Sequence, residues 1–421
     1  MKRILQLLIG FLAGGLFAMT SALGQASYTT PYTFTTIAGA TNGDTGSADG
    51  TNNAAQFYWP ENITVDSATN LYVADTFNDT IRKMTLVGTN WVVTTIAGAA
   101  QSAGYADGTN LAAQFNFPFA IAVDTNGNLY VADTYNETIR KLTPVGTNWV
   151  VSTIAGTAEN SGNTDGTNLA AQFYSPSGIT MDPNGNLYVA DTYNETIRKL
   201  TPVGTNWVVS TIAGSETGDY GSADGTNRSA LFYNPASITV DGQGNLYVVD
   251  SGGDLIRELR PVGTNWVVST IAGTAGNPGS ADGTNLTAQF YDPFGISADR
   301  AGNLYVADTD NYTIRKLTPI GTNWVTTTLA GLAGSVGSAD GTGTNALFNF
   351  PFGVTVDRAG NLYVADTENS TIRMGKFVST TTPNLAITFE SPNSVVISWP
   401  DLGGFTLQTN GDLKTTNWVN Y

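Results

Sequence analysis

One phrase in this chain constrains the fold more than any other feature. N-L-Y-V-[AV]-D-[TS] occurs six times, placing its acidic residue at Asp75, Asp133, Asp191, Asp250, Asp308 and Asp366. The intervals are 58, 58, 59, 58 and 58 residues. A fixed period of that size marks a repeat architecture, in which one unit cannot bury its apolar face alone and stacks on its neighbours. Most of the 421 residues therefore belong to one repetitive body rather than to two or three unrelated domains.

Each unit reads as four short strands. In the third unit these are "GITMD" after Pro176, "NLYVAD", "TIRKL" and "NWVVSTIAG". The first turn, Pro183-Asn184-Gly185-Asn186, carries the Asn-Gly pair that tolerates positive φ and closes hairpins. No apolar pattern of helical period follows residue 26. The strands are apolar on both faces, as expected of a sheet packed between two other sheets. Four-stranded sheets repeated radially make a β-propeller, whereas β-helix rungs are much shorter than this period. The chain ends predict closure. "YTFTTIAG" (Tyr32–Gly39) is a fourth strand without the three that should precede it. The last unit, ending in "TIRMGKF", lacks a fourth strand. Pairing Tyr32–Ile37 with Thr371–Phe377 completes six blades and removes two sheet edges. The predicted fold is all-β, a six-bladed propeller closed by an N-terminal strand, followed by a short C-terminal β segment.

The unit, with its proline, then "GI-VD" and "G-LYVADT-N--IR", resembles the NHL repeat over about residues 31–378. The resemblance implies a six-bladed propeller. It leaves function open, because similar propellers include secreted amidating lyases, RNA-binding modules, lactonase-like hydrolases and protein-binding receptors. The zinc site of the amidating lyases needs His, and this chain has none.

The termini read differently. Lys2 and Arg3 precede the apolar run Ile4–Met19 and a small-residue stretch, the pattern of a secretory signal peptide over residues 1–26, with cleavage after Gly24 or Ala26. The expected organisation is propeller over 27–378, linker over 379–384 and a partial β module over 385–421. An exported location follows, secreted, periplasmic or cell-surface, with no transmembrane anchor left after cleavage. Removing Lys2 and Arg3 leaves 16 basic against 34 acidic residues, a net charge of −18. That field disfavours nucleic acid as a partner. Cysteine is absent, so packing alone must hold the fold. The absence of His also removes imidazole bases and Ser-His-Asp triads.

Positions shared by all six units are explained by blade construction. The six Asp named above and Arg82, Arg140, Arg198, Arg257, Arg315 and Arg373 flank one hairpin loop in every blade, and are expected to pair locally. Loop asparagines such as Asn78 and Asn136 are expected to bond their own backbone. The five Trp that begin fourth strands should pack at blade edges. The "AQFY" phenylalanines, such as Phe115, should plug between blades. The first turns look faintly like calcium loops, but their glycine falls too early and no downstream Glu completes them.

Positions that vary between units are free to be specific. Beside the proline stand Trp59 and Glu61, Phe117 and Phe119, Ser175 and Ser177, Asn234 and Ala236, Asp292 and Phe294, and Phe350 and Phe352. The second-to-third strand loops vary too: Phe77, Tyr135, Tyr193, Gly252, Asp310 and Glu368. Strand direction puts both sets on one face. The candidate ligand-binding residues are Trp59, Glu61, Phe117, Phe119, Asp292, Phe294, Phe350 and Phe352, with a plugged channel mouth as the alternative role of the rings. The expected function is non-catalytic binding of a protein, peptide or glycan by a monomer, with no cofactor. The alternative is a lactonase-like hydrolase, whose relatives hold a divalent ion at the channel. Only Glu61, Asn62, Asn234 and Asp292 are placed to attempt that here.

Overall fold

The computed structural model describes residues 32–378 and four short strands between residues 386 and 420. The expected signal peptide lies outside the described residues. Six antiparallel sheets follow one another around a central channel. In the second blade, Pro118–Val123 lines the channel, and Leu129–Asp133, Thr138–Val145 and Asn148–Ala155 follow outwards. Beyond the propeller, Ala386–Ser391 pairs with Ser394–Ser398, and Gln408–Thr409 with Val419–Asn420.

Each sheet has five strands where the sequence suggests four. The extra strand is the Gly-Thr pair of the "DGTN" connection, as Gly108–Thr109 pairing with Val150 and Val151. The connection thus first covers the outer edge of the next blade and then runs inward to its first strand. Two paired residues are too short a run for periodicity to reveal. The device blunts an edge that would otherwise invite pairing with another chain.

The core is divided among six blade-to-blade interfaces, each with its own apolar cluster. Between the second and third blades, Ala120, Tyr130 and Ala132 meet Phe173, Leu187, Val189 and Leu200. Both faces of every middle strand are buried, which is why "LYVAD" is apolar without alternation. The Trp residues close the outer part of these interfaces, edge-to-face on the preceding blade's tyrosine, as Trp149 on Tyr72 at 5.9 Å.

Closure occurs where the chain ends predict it. Tyr32–Ala38 pairs antiparallel with Thr371–Phe377, and on its other side with Gly341–Thr342. The seam carries a size exchange. In three blades Leu faces Val across the third and fourth strands, as Leu142 faces Val151, and in the first blade Met84 faces Val93. In the last blade Gly375 faces Phe34. Any Cβ on Gly375 would meet the Phe34 ring at 2.5 Å. Phe34 is fully buried and packs edge-to-face on Phe348 at 5.2 Å. The closing strand therefore fits one slot in one register.

Charges hold each blade in a fixed pattern. Arg140 donates from Nη1 to Asp133 at 2.5 Å and to the Gln114 carbonyl at 2.9 Å. Its Nη2 donates to Asp107 of the "DGTN" segment at 2.8 Å and to the Ala106 carbonyl at 3.1 Å. The guanidinium lies over the buried Phe115 ring, 5.1 Å from its centre. The same arrangement recurs in all six blades. The Asp–Arg pair is therefore scaffold, and the arginine also fastens the connection. The loop asparagines differ from expectation. Asn136 Nδ2 donates to Asp133 and to the Gly104 carbonyl, bridging the carboxylate to the incoming connection rather than turning on its own backbone. Burial decides this, because Asp133 must collect donors inside the protein.

The first turns are equally self-contained. Asp124 Oδ1 accepts from the Asn126 and Asn128 amides, and Oδ2 from the Asn128 side chain and the Tyr130 hydroxyl. With its oxygens so engaged, the aspartate serves the turn.

Candidate ligand-binding face

The two sets of variable loops meet on one face of the disc. The residue before each blade's proline, from Trp59 through Phe350, takes a left-handed backbone with φ between 43° and 55°. For a non-glycine residue this costs about 1–2 kcal/mol, so something must hold it. In four blades a carboxylate of the preceding blade holds that residue's own N–H. Asp79 accepts from Phe117 at 3.0 Å, Glu137 from Ser175 at 2.5 Å, Glu195 from Asn234 at 2.6 Å and Asp254 from Asp292 at 2.9 Å. At the seam Ser370 Oγ replaces the carboxylate for Trp59, at 3.3 Å. Partial burial pushes the Glu137 and Glu195 carboxyls up to about 7, against the amide hydrogen bonds that stabilise their charge. Sequence reading missed these clamps. Their signal is the acidic residue three places before the repeated Arg in four of the six units, at Asp79, Glu137, Glu195 and Asp254.

The eight candidate residues fall into two groups. Trp59, Phe117, Asp292 and Phe350 stand before the proline, on the outer ring of the face. Trp59 packs on Phe77 at 4.5 Å, Phe77 on Phe117 at 4.5 Å, and Phe117 stacks on Tyr135 at 4.5 Å. This arc runs across the first two blades and ends in Tyr135, which is 56% exposed. Exposed Tyr174 and Tyr193 form a further pair in the third blade. Phe350 meets Tyr312 at 5.1 Å.

Phe119, Phe294 and Phe352 follow the proline and lie nearer the axis. Phe294 packs on Phe352 at 4.5 Å and on Phe119 at 5.4 Å. The second and fifth blades are opposite each other, so these three rings meet across the channel mouth. The strands beneath enclose a cavity of about 130 Å³, lined by residues such as Asn62, Thr180, Ser237 and Thr355. Glu61 is buried among these elements, and burial pushes its carboxyl well above the usual range. It stands away from the exposed outer ring.

The acidic residues gather elsewhere on the face. Asp292 is exposed, and its carboxylate also accepts from the Ser251 hydroxyl. Asp310 is raised by partial burial and by the charges of Asp292 and Asp254. Glu368 is exposed at the corresponding loop of the next blade. Glu61, Asn62, Asn234 and Asp292 do not converge. Glu61 and Asn234 belong to opposite blades, and the Asn62 side-chain oxygen accepts from the Ile121 amide at 3.4 Å. Among the described residues no three Asp or Glu are grouped to hold a metal ion.

Known proteins carry the same unit. The Teneurin NHL domain model matches residues 107–201, and the NHL repeat model matches residues 348–373. Protein SUPPRESSOR OF QUENCHING 1 of Arabidopsis thaliana is 31% identical over 293 residues, covering 65% of this chain and 26% of that protein. NHL repeat-containing protein 2 of Bos taurus is 28% identical over 371 residues, covering 80% of this chain and 49% of that protein. The chain thus spans about a quarter to a half of the length of these relatives. Among solved structures, an auxiliary nutrient binding protein of Bacteroides thetaiotaomicron superposes with a TM-score of 0.60 at 17% identity, covering 82% of this chain and 76% of that one. A protein of unknown function from the same organism superposes at 0.62 with 20% identity, covering 82% and 75%. At these identities the superpositions establish the fold alone. Repeat motif, ring closure and relatives agree: the chain is an NHL-repeat six-bladed β-propeller.

Proposed function

We propose that this propeller acts by binding, without catalysis, through the face that carries the variable loops. One observation supports this above others. The six units are nearly identical wherever a residue builds the blade, and they differ around the channel mouth, where Glu61, Ser177 and Ala236 are buried but Trp59, Phe117, Phe119 and Phe294 are half-buried and Tyr135, Tyr193, Asp292 and Glu368 are exposed. Clustered, accessible aromatic side chains recur at contact sites because they bring large apolar area at small entropic cost. The auxiliary nutrient binding protein with the same fold is in keeping with a binding role. Lys2, Arg3 and the apolar run Ile4–Met19 support action after export. The ligand classes in view are protein, peptide and glycan.

The test is a screen of the purified chain, beginning at Ser27, against peptide and oligosaccharide arrays. It is repeated with a Trp59→Ala, Phe117→Ala, Tyr135→Ala variant of unchanged melting temperature. Ligands lost by the variant support the reading. Ligands bound equally by both proteins would place the site on the opposite face or the tail.

A further inference from the structure

We infer that the variable-loop face takes a cationic segment of another polypeptide, whose apolar residues lie on the Trp59–Tyr135 arc and whose Lys or Arg side chains meet Asp292, Asp310 and Glu368. This rests on the binding function proposed above and names its partner class.

Charge placement carries the inference. The six buried arginines near this face are each spent on two aspartates, as Arg140 is on Asp133 and Asp107. Every other Lys and Arg of residues 32–378 lies on a third strand, in a first-to-second turn or on the outer rim. Four of these lysines lie over tyrosine rings whose hydroxyls bond the turns of the opposite face, as Lys83 over Tyr72 and Tyr72 on Asp66. The variable face thus presents carboxylates, and the exposed Arg228 of the connection after Ala213 is already engaged with Asp165 and Glu216. Asp254 is engaged with the Asp292 amide, but among the described residues Asp292, Asp310 and Glu368 have no cationic partner.

The aromatic geometry points the same way. The rings of the arc meet mostly at 62°, edge against face, so they form a corrugated apolar rim rather than one flat platform. Extended sugar stacking prefers a flat ring face. Side chains that alternate between apolar and cationic fit a rim bordered by carboxylates, where a cation is also attracted to the face of an aromatic ring. Complementary charge also steers the encounter and rejects anionic competitors.

The experiment uses the chain from Ser27 and three fluorescent probes: a twelve-residue peptide alternating Lys and Tyr, its Glu-Tyr counterpart, and cellohexaose. Anisotropy should show binding of the Lys-Tyr peptide alone, weakening several-fold between 50 and 200 mM salt. An Asp292→Asn, Asp310→Asn, Glu368→Gln variant should weaken it at least tenfold, while Glu258→Gln on a third strand leaves it unchanged. An Asp292→Lys, Asp310→Lys variant should gain the Glu-Tyr peptide. Binding of cellohexaose, lost in the aromatic variant, would overturn the cationic partner and leave the face's binding role standing. Lys-Tyr binding that neither the acidic nor the aromatic variant changes would overturn both. Failure to bind the Lys-Tyr peptide at 50 mM salt would overturn the inference.

Discussion

Replacing Asp191 with Asn tests whether the repeated ion pair is scaffold. The carboxylate is fully buried. Its Oδ2 accepts from Arg198 Nη1 at 2.6 Å and from Asn194 at 2.8 Å, while Oδ1 accepts from the Tyr174 amide at 2.7 Å. An amide in that place keeps one acceptor and turns an NH₂ group toward donors. Either the Tyr174 N–H or the Arg198–Asn194 pair then faces another donor, and Arg198 loses its only buried counter-charge. Asp165 remains bonded to Arg198 at 2.9 Å, but its side chain is 36% exposed and screened by water. Breaking one half of a buried pair costs about 3–5 kcal/mol. For a propeller of about 350 residues, with about 2 cal/mol/K of unfolding entropy per residue, that corresponds to a fall of roughly 4–7 °C in Tm. The assay is thermal unfolding followed by circular dichroism, with Asp165→Asn as the exposed comparison, expected to lose about 1 kcal/mol or less. Binding of any ligand found should persist at temperatures where the variant is folded. A variant that melts like the parent would refute the assigned role of the pair. Complete loss of binding at unchanged Tm would show that the aspartate belongs to a site.

Deleting residues 27–39 removes the closing strand, and should lower Tm and broaden the transition; melting like the parent would refute closure by this strand. Gly375→Leu should likewise expel Phe34 from its slot, and a companion Phe34→Val substitution should restore much of the loss, measured by urea midpoints. The Glu137 and Glu195 clamps carry a pH signature. Their folded pKa values, about 7, exceed the usual 4.5, so the folded state holds protons that the unfolded state has released. Stability should therefore fall as pH rises from about 4.5 to 7 and level off above, and a Glu137→Gln, Glu195→Gln variant should flatten that slope in urea titrations. Phe294→Ala should open the capped channel mouth and admit an apolar fluorescent dye that the parent excludes.

Much of the architecture could be read from the sequence because it depends on local and repetitive information. The period, the Asn-Gly turns and the two incomplete end units specify blade number, strand order and closure, since an unpaired strand at each end has one complementary place to go. The division between shared and variable residues was legible for the same reason, as six copies of one unit act as internal comparisons. Other features required tertiary structure, because they join residues far apart in the chain whose side-chain directions are set by packing. The two-residue "DGTN" strands show no periodicity, and only the folded ring sets them against the next blade. Asn136 could bond its own turn, and it bridges Asp133 to Gly104 because a buried carboxylate must find donors. Phe119 and Phe117 are two residues apart and equally aromatic. The strand's inward course sends Phe119 to the channel with Phe294 and Phe352, while the left-handed backbone leaves Phe117 on the outer ring with Trp59, Phe77 and Tyr135.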